Sequence, residues 1–570
     1  MGTDLARVWP PFHPLESVSM PTKRVYLETF GCQMNELDSE LVTGQLKALG
    51  YSFTTDSHEA DIVLYNTCSV RERAEQKVWS RLGALRNEKR ERPDLVVGVL
   101  GCMAERDGTD LMKRMPVVDL MCGPAELDKL PELLDNAVRT RASLLSDDPA
   151  LAAQRSAKVA ALQGSASRRS ATLAAAEDRL EMLDLSRAVS PTNDDAKRSA
   201  YVRITRGCNK FCTYCVVPHT RGAEIHRPPE HIIDECKKLA DAGVIEITLL
   251  GQTVNHYRFE HGAAVIVDGV TQPQKGRTYK GSHHRDAFAG ERTTTFADLL
   301  RRIHDEVPAI ERLRFVTSYP RDFGDDVLEV IRDHPRICRY LHVPAQSGSN
   351  RILKMMNRGY TIEEYDEFIA RARAILDQPE IGRPLMLSGD IIVGFPTETE
   401  EDFELTKQML VRSRCKNQFI FKYSPRPGTI AYDRIPDDVP DEVKRRRNNE
   451  LLALQTEISD SIGREQVGRR FSVFVEGLSR SEMKKRGSDV KPGTGMISIT
   501  VGGRDPSAVA TLDLPETDQP VQLSGRTDSD LIVFFEAPSA RAKTMLGSIV
   551  EVEITGADRL ALRGELTHRV

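Results

Sequence analysis

Short apolar runs recur through the first quarter of the chain, and amphipathic stretches lie between them. Val25-Tyr26-Leu27, Ile62-Val63-Leu64-Tyr65 and Val96 through Leu100 have the length of strands, and the segments separating them follow the helical period. This alternation predicts a parallel α/β domain over residues 23–137. Each run leads into a cysteine, at Gly31-Cys32, Asn66-Thr67-Cys68 and Gly101-Cys102. Loops at the carboxyl ends of parallel strands are where ligands gather, so these three thiols are expected to converge although they are far apart in sequence. Cys122 follows a further apolar run, Val117-Val118-Asp119-Leu120-Met121, and is a weaker fourth ligand candidate, with a packing or bystander thiol the preferred reading.

The pattern then changes. Residues 138–199 are dominated by Ala, Ser, Arg and Asp, can bury little core, and read as a low-complexity linker. Strand–helix alternation returns over 200–435, with Ile245 through Leu250, Leu313-Arg314-Phe315-Val316 and Gly389 through Gly394 as strand examples, and predicts a full or partial barrel of βα units. Within it, residues 258–293 are rich in Gly, His, Thr and charge and read as a surface insertion. Residues 436–466 form a charged helix, and 467–570 carry the short alternating runs of a small all-β barrel, such as Phe471 through Val475 and Leu531 through Phe535.

Composition narrows the partners. The chain has 570 residues, 29% of them charged, and a formal net charge of −5, so an RNA-binding surface has to be local rather than global. No apolar run spans a membrane and Met1–Pro21 has no apolar signal core, which makes a cytoplasmic protein without membrane association the expectation. In that reducing compartment the ten cysteines point to metal or redox chemistry rather than disulfides.

The densest chemistry is Gly207-Cys208-Asn209-Lys210-Phe211-Cys212-Thr213-Tyr214-Cys215. A C-x3-C-x2-C frame supplies three thiolates where an iron–sulfur cluster takes four, which leaves one iron open. Structural zinc is the bland alternative. It needs a fourth ligand, for which His219 is the nearest candidate. Cys236, Cys338 and Cys415 have no partner spacing and read as inert core thiols.

The frame, with Tyr214 before its last cysteine, resembles that of the radical S-adenosylmethionine (AdoMet) enzymes. The resemblance extends to the methylthiotransferases within that group. Tyr26-Leu27-Glu28-Thr29-Phe30-Gly31-Cys32-Gln33-Met34-Asn35, Asn66 through Glu72 and Leu100 through Arg106 are similar to their N-terminal domain. Leu250 through Asn255, His342 through Ser349 and Asp390 through Pro396 are similar to their radical domain, and the β tail resembles their RNA-binding TRAM module. Thr397 stands where the family usually has glycine. The residues around Cys32 resemble the tRNA branch, which acts on isopentenylated adenosine beside the anticodon.

The resemblance implies two [4Fe-4S] clusters. One, on Cys208, Cys212 and Cys215, binds and cleaves AdoMet; the auxiliary one, on Cys32, Cys68 and Cys102, carries the sulfur to be inserted. One AdoMet methylates that sulfur and a second yields the radical that takes hydrogen from C2 of the adenine, a C–H bond beyond acid–base chemistry. An external electron donor and sulfur source are required, and a monomer is expected. Tyr214, Gln252, Asn255, Gln346, Ser347 and Asp390 are candidate cofactor contacts at strand ends, although turn or strand capping would explain Gln252, Asn255, Gln346, Ser347 and Asp390 too. The Lys444-Arg445-Arg446-Arg447 run and Lys484-Lys485-Arg486 are candidate phosphate contacts, with a solvated helix face as the rival for the first. Two rival functions stay open: methylthiolation of threonylcarbamoyl-adenosine or of a ribosomal-protein aspartate, and a zinc-stabilised RNA-binding protein without catalysis.

Overall fold

A computed structural model describes residues 23–69, 72–145, 159–162, 179–187, 198–276, 292–485 and 517–567. The segment before residue 23, Val70, Arg71, most of 138–199, residues 277–291 of the insertion, and Arg486 lie outside the described residues.

The first layer is a parallel sheet of β1 (Arg24–Phe30), β2 (Ser52–Phe53), β3 (Ile62–Thr67), β4 (Val96–Gly101), β5 (Leu120–Cys122) and β6 (Val159–Ala161), in spatial order β2-β1-β3-β4-β5-β6. β3 and β4 are buried along their whole length, as strands covered on both faces must be, which is why they read as continuous apolar runs. β1, β3 and β4 are adjacent and in register, Phe30 against Thr67 and Thr67 against Gly101, so Cys32, Cys68 and Cys102 leave the sheet from the same end.

The central domain has six principal parallel strands. β7 (Ser199–Arg203) is followed by β8 (Thr205–Arg206), β9 (Ile225–His226) and β10 (Glu246–Leu250). Four short strands follow, β11 (Arg258–Glu260), β12 (Ile266–Val267), β13 (Val270–Thr271) and β14 (Gln274–Lys275), and then β15 (Thr293–Thr295). β16 (Arg312–Phe315), β17 (Tyr340–His342), β18 (Met386–Val393) and β19 (Asn417–Lys422) complete the set. β16-β10-β7 and β17-β18-β19 form two arcs joined by a bridge from Leu313 to Ile337, giving a partial barrel around Leu249, Leu313, Leu341, Leu387 and Ile391. Within the stretch read as a surface insertion, β14 pairs with β9, β11 pairs with β15, and Phe259 is buried, so its base is built into the domain.

The chain ends in a closed antiparallel-dominated barrel of β20 (Arg470–Leu478), β21 (Pro520–Thr527), β22 (Ile532–Pro538), β23 (Ile549–Asp558) and β24 (Ala561–Leu566). Tyr340 and Met386, which begin β17 and β18, share its hydrophobic core. Arg312, which begins β16, donates to the Arg526 carbonyl at 2.7 Å, and the Lys416 ammonium lies 2.7 Å from Asp530. The small barrel is therefore fixed to the amino ends of the central strands. Among the described residues no helix is long and apolar enough to cross a membrane.

Composition misleads in the low-complexity stretch. β6 joins the N-terminal sheet, and the helix Arg179–Leu185 is an integral part of the domain junction. Its Glu181 and Asp184 are buried and face Arg227 and Arg203, which are also buried. Arg203 donates to both Asp184 oxygens at 2.7 and 2.9 Å and to Asp38 of the N-terminal domain at 3.2 Å. Arg227 joins Glu181 at 2.9 Å and Glu235 at 2.7 Å. A few acidic residues at helical spacing suffice for this, because what they bury is charge compensation rather than apolar area.

Removing one member of such a ladder leaves an unpaired buried charge, which costs roughly 3–5 kcal/mol. Asp184→Ala is expected to lower unfolding stability by about that amount, read from the denaturant midpoint. Asp135→Ala, which breaks only the exposed Asp135–Arg139 pair, is the control and should cost under about 1 kcal/mol.

Candidate active site

The Cys208–Cys215 loop springs from the carboxyl side of β7 and β8, and hydrogen bonds from outside the loop fix its shape. Cys208 N–H donates to the Gly222 carbonyl at 3.2 Å, Thr213 N–H and hydroxyl donate to the Met356 and Met355 carbonyls, and Ala431 N–H donates to the Thr213 carbonyl at 2.8 Å. Gly207 has φ +68°, and a Cβ there would lie 2.0 Å from the Ala223 oxygen, so glycine is required. Phe211, also in the left-handed region at φ 49°, is held by Asn357 donating to its carbonyl, and its ring is exposed.

The loop sulfurs are met by donors. Lys210 N–H approaches Cys208 Sγ at 3.5 Å, and Arg358 Nη1 approaches Cys212 Sγ at 3.4 Å. Arg358 is itself fixed by the Pro344 carbonyl at 2.9 Å and by the Tyr319 and Tyr360 rings. Burial pushes the Cys208 thiol well up, with Glu224 and Cys215 adding to it, and pushes Cys215 up to about 12. Bare thiolates are thus disfavoured here. Binding a metal cluster would displace those protons, and the Lys210 and Arg358 donors suit the charged sulfur that results.

At the end of the N-terminal sheet, Gly31 has φ +135° and a Cβ there would sit 2.3 Å from Cys68 Cβ. The Cys32 and Cys68 backbones can approach only because that side chain is missing. Cys102 opens the helix Cys102–Asp107 and is buried. Burial raises its thiol, and the Arg221 guanidinium and the Thr220 hydroxyl oppose the rise. Arg221 donates to Asn35 at 3.0 Å and Asp38 at 2.8 Å, and Asn35 in turn lies 3.4 Å from Cys32 Sγ. The one-turn helix Val217–Thr220 starts two residues after Cys215, and the residues closing it, Thr220 and Arg221, face Cys102. Six residues of backbone therefore connect the two thiol sets.

The structure separates the polar candidates. Gln346 sits at φ 73°, an unfavourable conformation for a non-glycine residue, with its side-chain oxygen buried and without a hydrogen-bond partner. Asp390 lies in the middle of β18 rather than at its start, half-exposed, 3.3 Å from His342 Nε2. Gln252 lies two residues past β10 and is half-buried, and Tyr214 packs beside Met355 and Ile392 around Phe395. Asn255 and Ser347 are corrections to the sequence reading. Both amide groups of Asn255 are spent on the Tyr319 backbone, at 2.8 and 2.9 Å. Ser347 is buried and accepts from Ser349 N–H. Both hold loops in shape, as the turn-capping alternative has it.

The basic run is a second correction. Lys444 bonds both Asp437 oxygens at 2.6 Å, Arg446 pairs with Glu450 and Glu400, and Arg447 with Glu398 and Glu400. Only Arg445 of the four stays exposed without an ion pair among the described residues. Lys484 and Lys485 lie on the short helix Arg480–Lys485 rather than in a loop. Cys122 donates to the Glu126 carbonyl at 3.1 Å inside the core, and Cys236, Cys338 and Cys415 are buried. Arg221, Thr220 and Arg358 went unnoticed in the sequence, since each acquires its role only through contacts distant along the chain. Thr397 adopts φ 69°, the conformation its glycine counterpart would take freely, and Arg351 and Asp438 hold it there.

The model of an uncharacterized protein family, UPF0004, matches residues 24–123, and that of the radical SAM superfamily matches residues 202–410. The tRNA-2-methylthio-N(6)-dimethylallyladenosine synthase of Rhodopirellula baltica is 39% identical over 545 residues, 96% of each chain. The protein of that name from Burkholderia mallei is 37% identical over 550 residues, 96% of this chain and 97% of its own. Among solved structures, the radical S-adenosylmethionine methyltransferase TsrM from Kitasatospora setae, with cobalamin and a [4Fe-4S] cluster bound, aligns with a TM-score of 0.42 at 14% identity, covering 72% of this chain and 77% of that one.

The two glycines give separable expectations. After anaerobic reconstitution, Gly31→Ala and Gly207→Ala should each retain about four iron atoms per chain instead of about eight. Only Gly207→Ala should lose AdoMet cleavage, assayed as 5′-deoxyadenosine release.

Proposed function

Because the chain belongs to the tRNA-2-methylthio-N(6)-dimethylallyladenosine synthase family, we propose that it methylthiolates C2 of N(6)-isopentenyladenosine next to the anticodon of tRNA, with Cys208, Cys212 and Cys215 holding one [4Fe-4S] cluster and Cys32, Cys68 and Cys102 the other. It is a transferase that uses AdoMet. The reading is supported by Cys215 and Cys102, from the two domains, lying about the two ends of the short helix Val217–Thr220, close enough to interact electrostatically. When bound, the clusters and AdoMet supply the electron, the hydrogen-abstracting radical, and the sulfur and methyl groups to be transferred.

The protein's own residues orient these groups. Arg358 sets a positive charge against Cys212 and carries it between two tyrosine rings, which keeps solvent from that side of the loop. Gln346, on the loop after β17, and Asp390, within β18, have a carbonyl oxygen and a carboxylate available to the amine or ribose of AdoMet. Arg221 reaches from the radical domain into the auxiliary site and fixes Asn35 and Asp38 beside Cys32. We further propose that the chain works as a cytoplasmic monomer, that an external electron donor and sulfur source serve it, and that the C-terminal barrel is a TRAM-type RNA-binding module.

The test is anaerobic incubation of reconstituted protein with AdoMet, a reductant and isopentenyladenosine-containing tRNA, followed by nucleoside mass spectrometry. A nucleoside heavier by one methylthio group is expected with wild type and absent from Cys32→Ala and Cys208→Ala. AdoMet cleavage without that product on this tRNA, with both clusters intact, would refute the substrate. Arg221 gives a separate expectation. In protein carrying only the auxiliary cluster, Arg221→Gln should lower the cluster's midpoint potential, since a nearby cation favours the reduced state, and Arg221→Lys should restore most of the loss. Potentiometric titration followed by EPR reads this directly.

A further inference from the structure

Beside the cysteine loop lies a third cluster of metal-ligating side chains that the reaction does not use. Glu224 and His226 lie on and before β9, and His256 lies in the turn Val254–His256 after β10. All three are buried, at 0%, 2% and 3% exposure, and one ligand atom from each falls within 4.8 Å of the others. His256 Nδ1 lies 2.9 Å from both Glu224 oxygens, and His226 Nε2 lies 3.3 Å from Oε1. Tetrahedral zinc bonds of about 2.0–2.1 Å would place neighbouring ligand atoms roughly 3.3 Å apart, so these edges need little adjustment.

Charge and hydrogen bonding point the same way. Glu224 is fully buried, and its carboxylate oxygens face the imidazole nitrogens of both His226 and His256. Among the described residues no lysine or arginine pairs with it. A buried carboxylate needs a positive charge beside it. Arg258 flanks His226 Nδ1 with its carbonyl at 2.5 Å and its N–H at 3.0 Å. The closer carbonyl contact suits a proton on Nδ1, the tautomer in which Nε2 keeps its lone pair for a metal. This is the arrangement of a metal-ligating histidine whose other nitrogen donates to a backbone carbonyl. Nε2 is buried and makes no aligned hydrogen bond, although it sits next to a carboxylate oxygen. A cation shared by Nε2, Nδ1 of His256 and the carboxylate satisfies all three.

The surroundings are shaped for it. A Cβ on Gly276 would lie 2.9 Å from both His226 Nε2 and Glu224 Cγ, so that backbone closes over the cluster. The Thr253 hydroxyl adds a donor to Glu224 at 3.2 Å, and the Tyr257 ring stacks on His226. The other histidine–carboxylate group of this kind, His304, Asp305 and His334, includes an exposed Asp305 and has Arg336 alongside. It lacks both the enclosure and the charge deficit.

We propose that Glu224, His226 and His256 form a mononuclear divalent-metal site, with zinc as the fitting ion, separate from both iron–sulfur clusters. Two imidazoles and one carboxylate suit zinc, with a fourth position left to water. The ion would pin together the hairpin that follows the cysteine loop, the turn after Gln252 and the base of the insertion at Gly276. Its role is to position the loops that frame the candidate active site.

The test is zinc analysis and zinc K-edge X-ray absorption on the reconstituted full-length protein, dialysed against micromolar zinc and then against buffer. About one zinc per chain with a nitrogen and oxygen shell, two imidazoles and no sulfur is expected, since the ligands are His226, His256 and Glu224. Zinc should be lost in Glu224→Gln and in His226→Ala while the iron content is kept. Zinc-free wild type, zinc with a sulfur shell, or zinc retained in folded Glu224→Gln would each overturn the site. If the variants do not fold, the wild-type stoichiometry and ligand shell decide alone.

Discussion

The arrangement of this protein rests on one buried ionic ladder. Asp38 from the N-terminal domain shares its two oxygens between Arg203 and Arg221 of the central domain, and Asp184 from the intervening segment completes Arg203. Charges this deeply buried tolerate no slippage, because moving either domain away would strand them in a medium that solvates them poorly. Apolar contact alone would allow sliding, since it has no direction. The ladder thus sets the distance between thiols that belong to different domains, and the chemistry requires that distance to be fixed.

Around that fixed junction, much of the unusual backbone lies where ligands would be held. Gly31, Gly101, Gly207, Phe211, Gln346 and Gly394 all adopt positive φ at or beside strand ends. Thr397 shows how such strain is retained: a β-branched residue in the left-handed region costs about 1–2 kcal/mol, and Arg351 and Asp438 offset it with hydrogen bonds to its backbone and hydroxyl.

Much of this is legible in the sequence where local pattern and global fold agree. The runs at Ile62 and Val96 mark strands because burial on both faces demands uninterrupted apolar residues, and the cysteines after them mark the ligand end. Polar residues are harder to read, because their meaning depends on the partner. Asn255 and Gln346 look alike in sequence, yet one is consumed by the Tyr319 backbone and the other keeps a buried oxygen unpaired. Lys444, Arg446 and Arg447 resemble a phosphate surface until Asp437, Glu398 and Glu400 are placed against them. The helix Arg179–Leu185 escapes notice for the opposite reason. It adds only Leu180 and Leu183 to the core, and its larger contribution is a pair of buried carboxylates.

The position of the C-terminal barrel limits how RNA could use it. The barrel is bound to the amino ends of the central strands through Arg312, Tyr340 and Met386, whereas the cysteine loop and Gln252 lie at the carboxyl ends. β18, with eight residues, spans about 26 Å between those ends. A single nucleoside cannot touch both. A folded stem-loop can, provided that it runs along the side of the molecule, with phosphates toward the barrel and one base toward the thiols. Lys444, Arg446 and Arg447 are already ion-paired, so exposed groups such as Arg445, Lys484 and, on the barrel, Arg541 and Lys543 would meet phosphate on such a path. On the proposed function, the distance between the two ends would then restrict the enzyme to a base within a structured RNA.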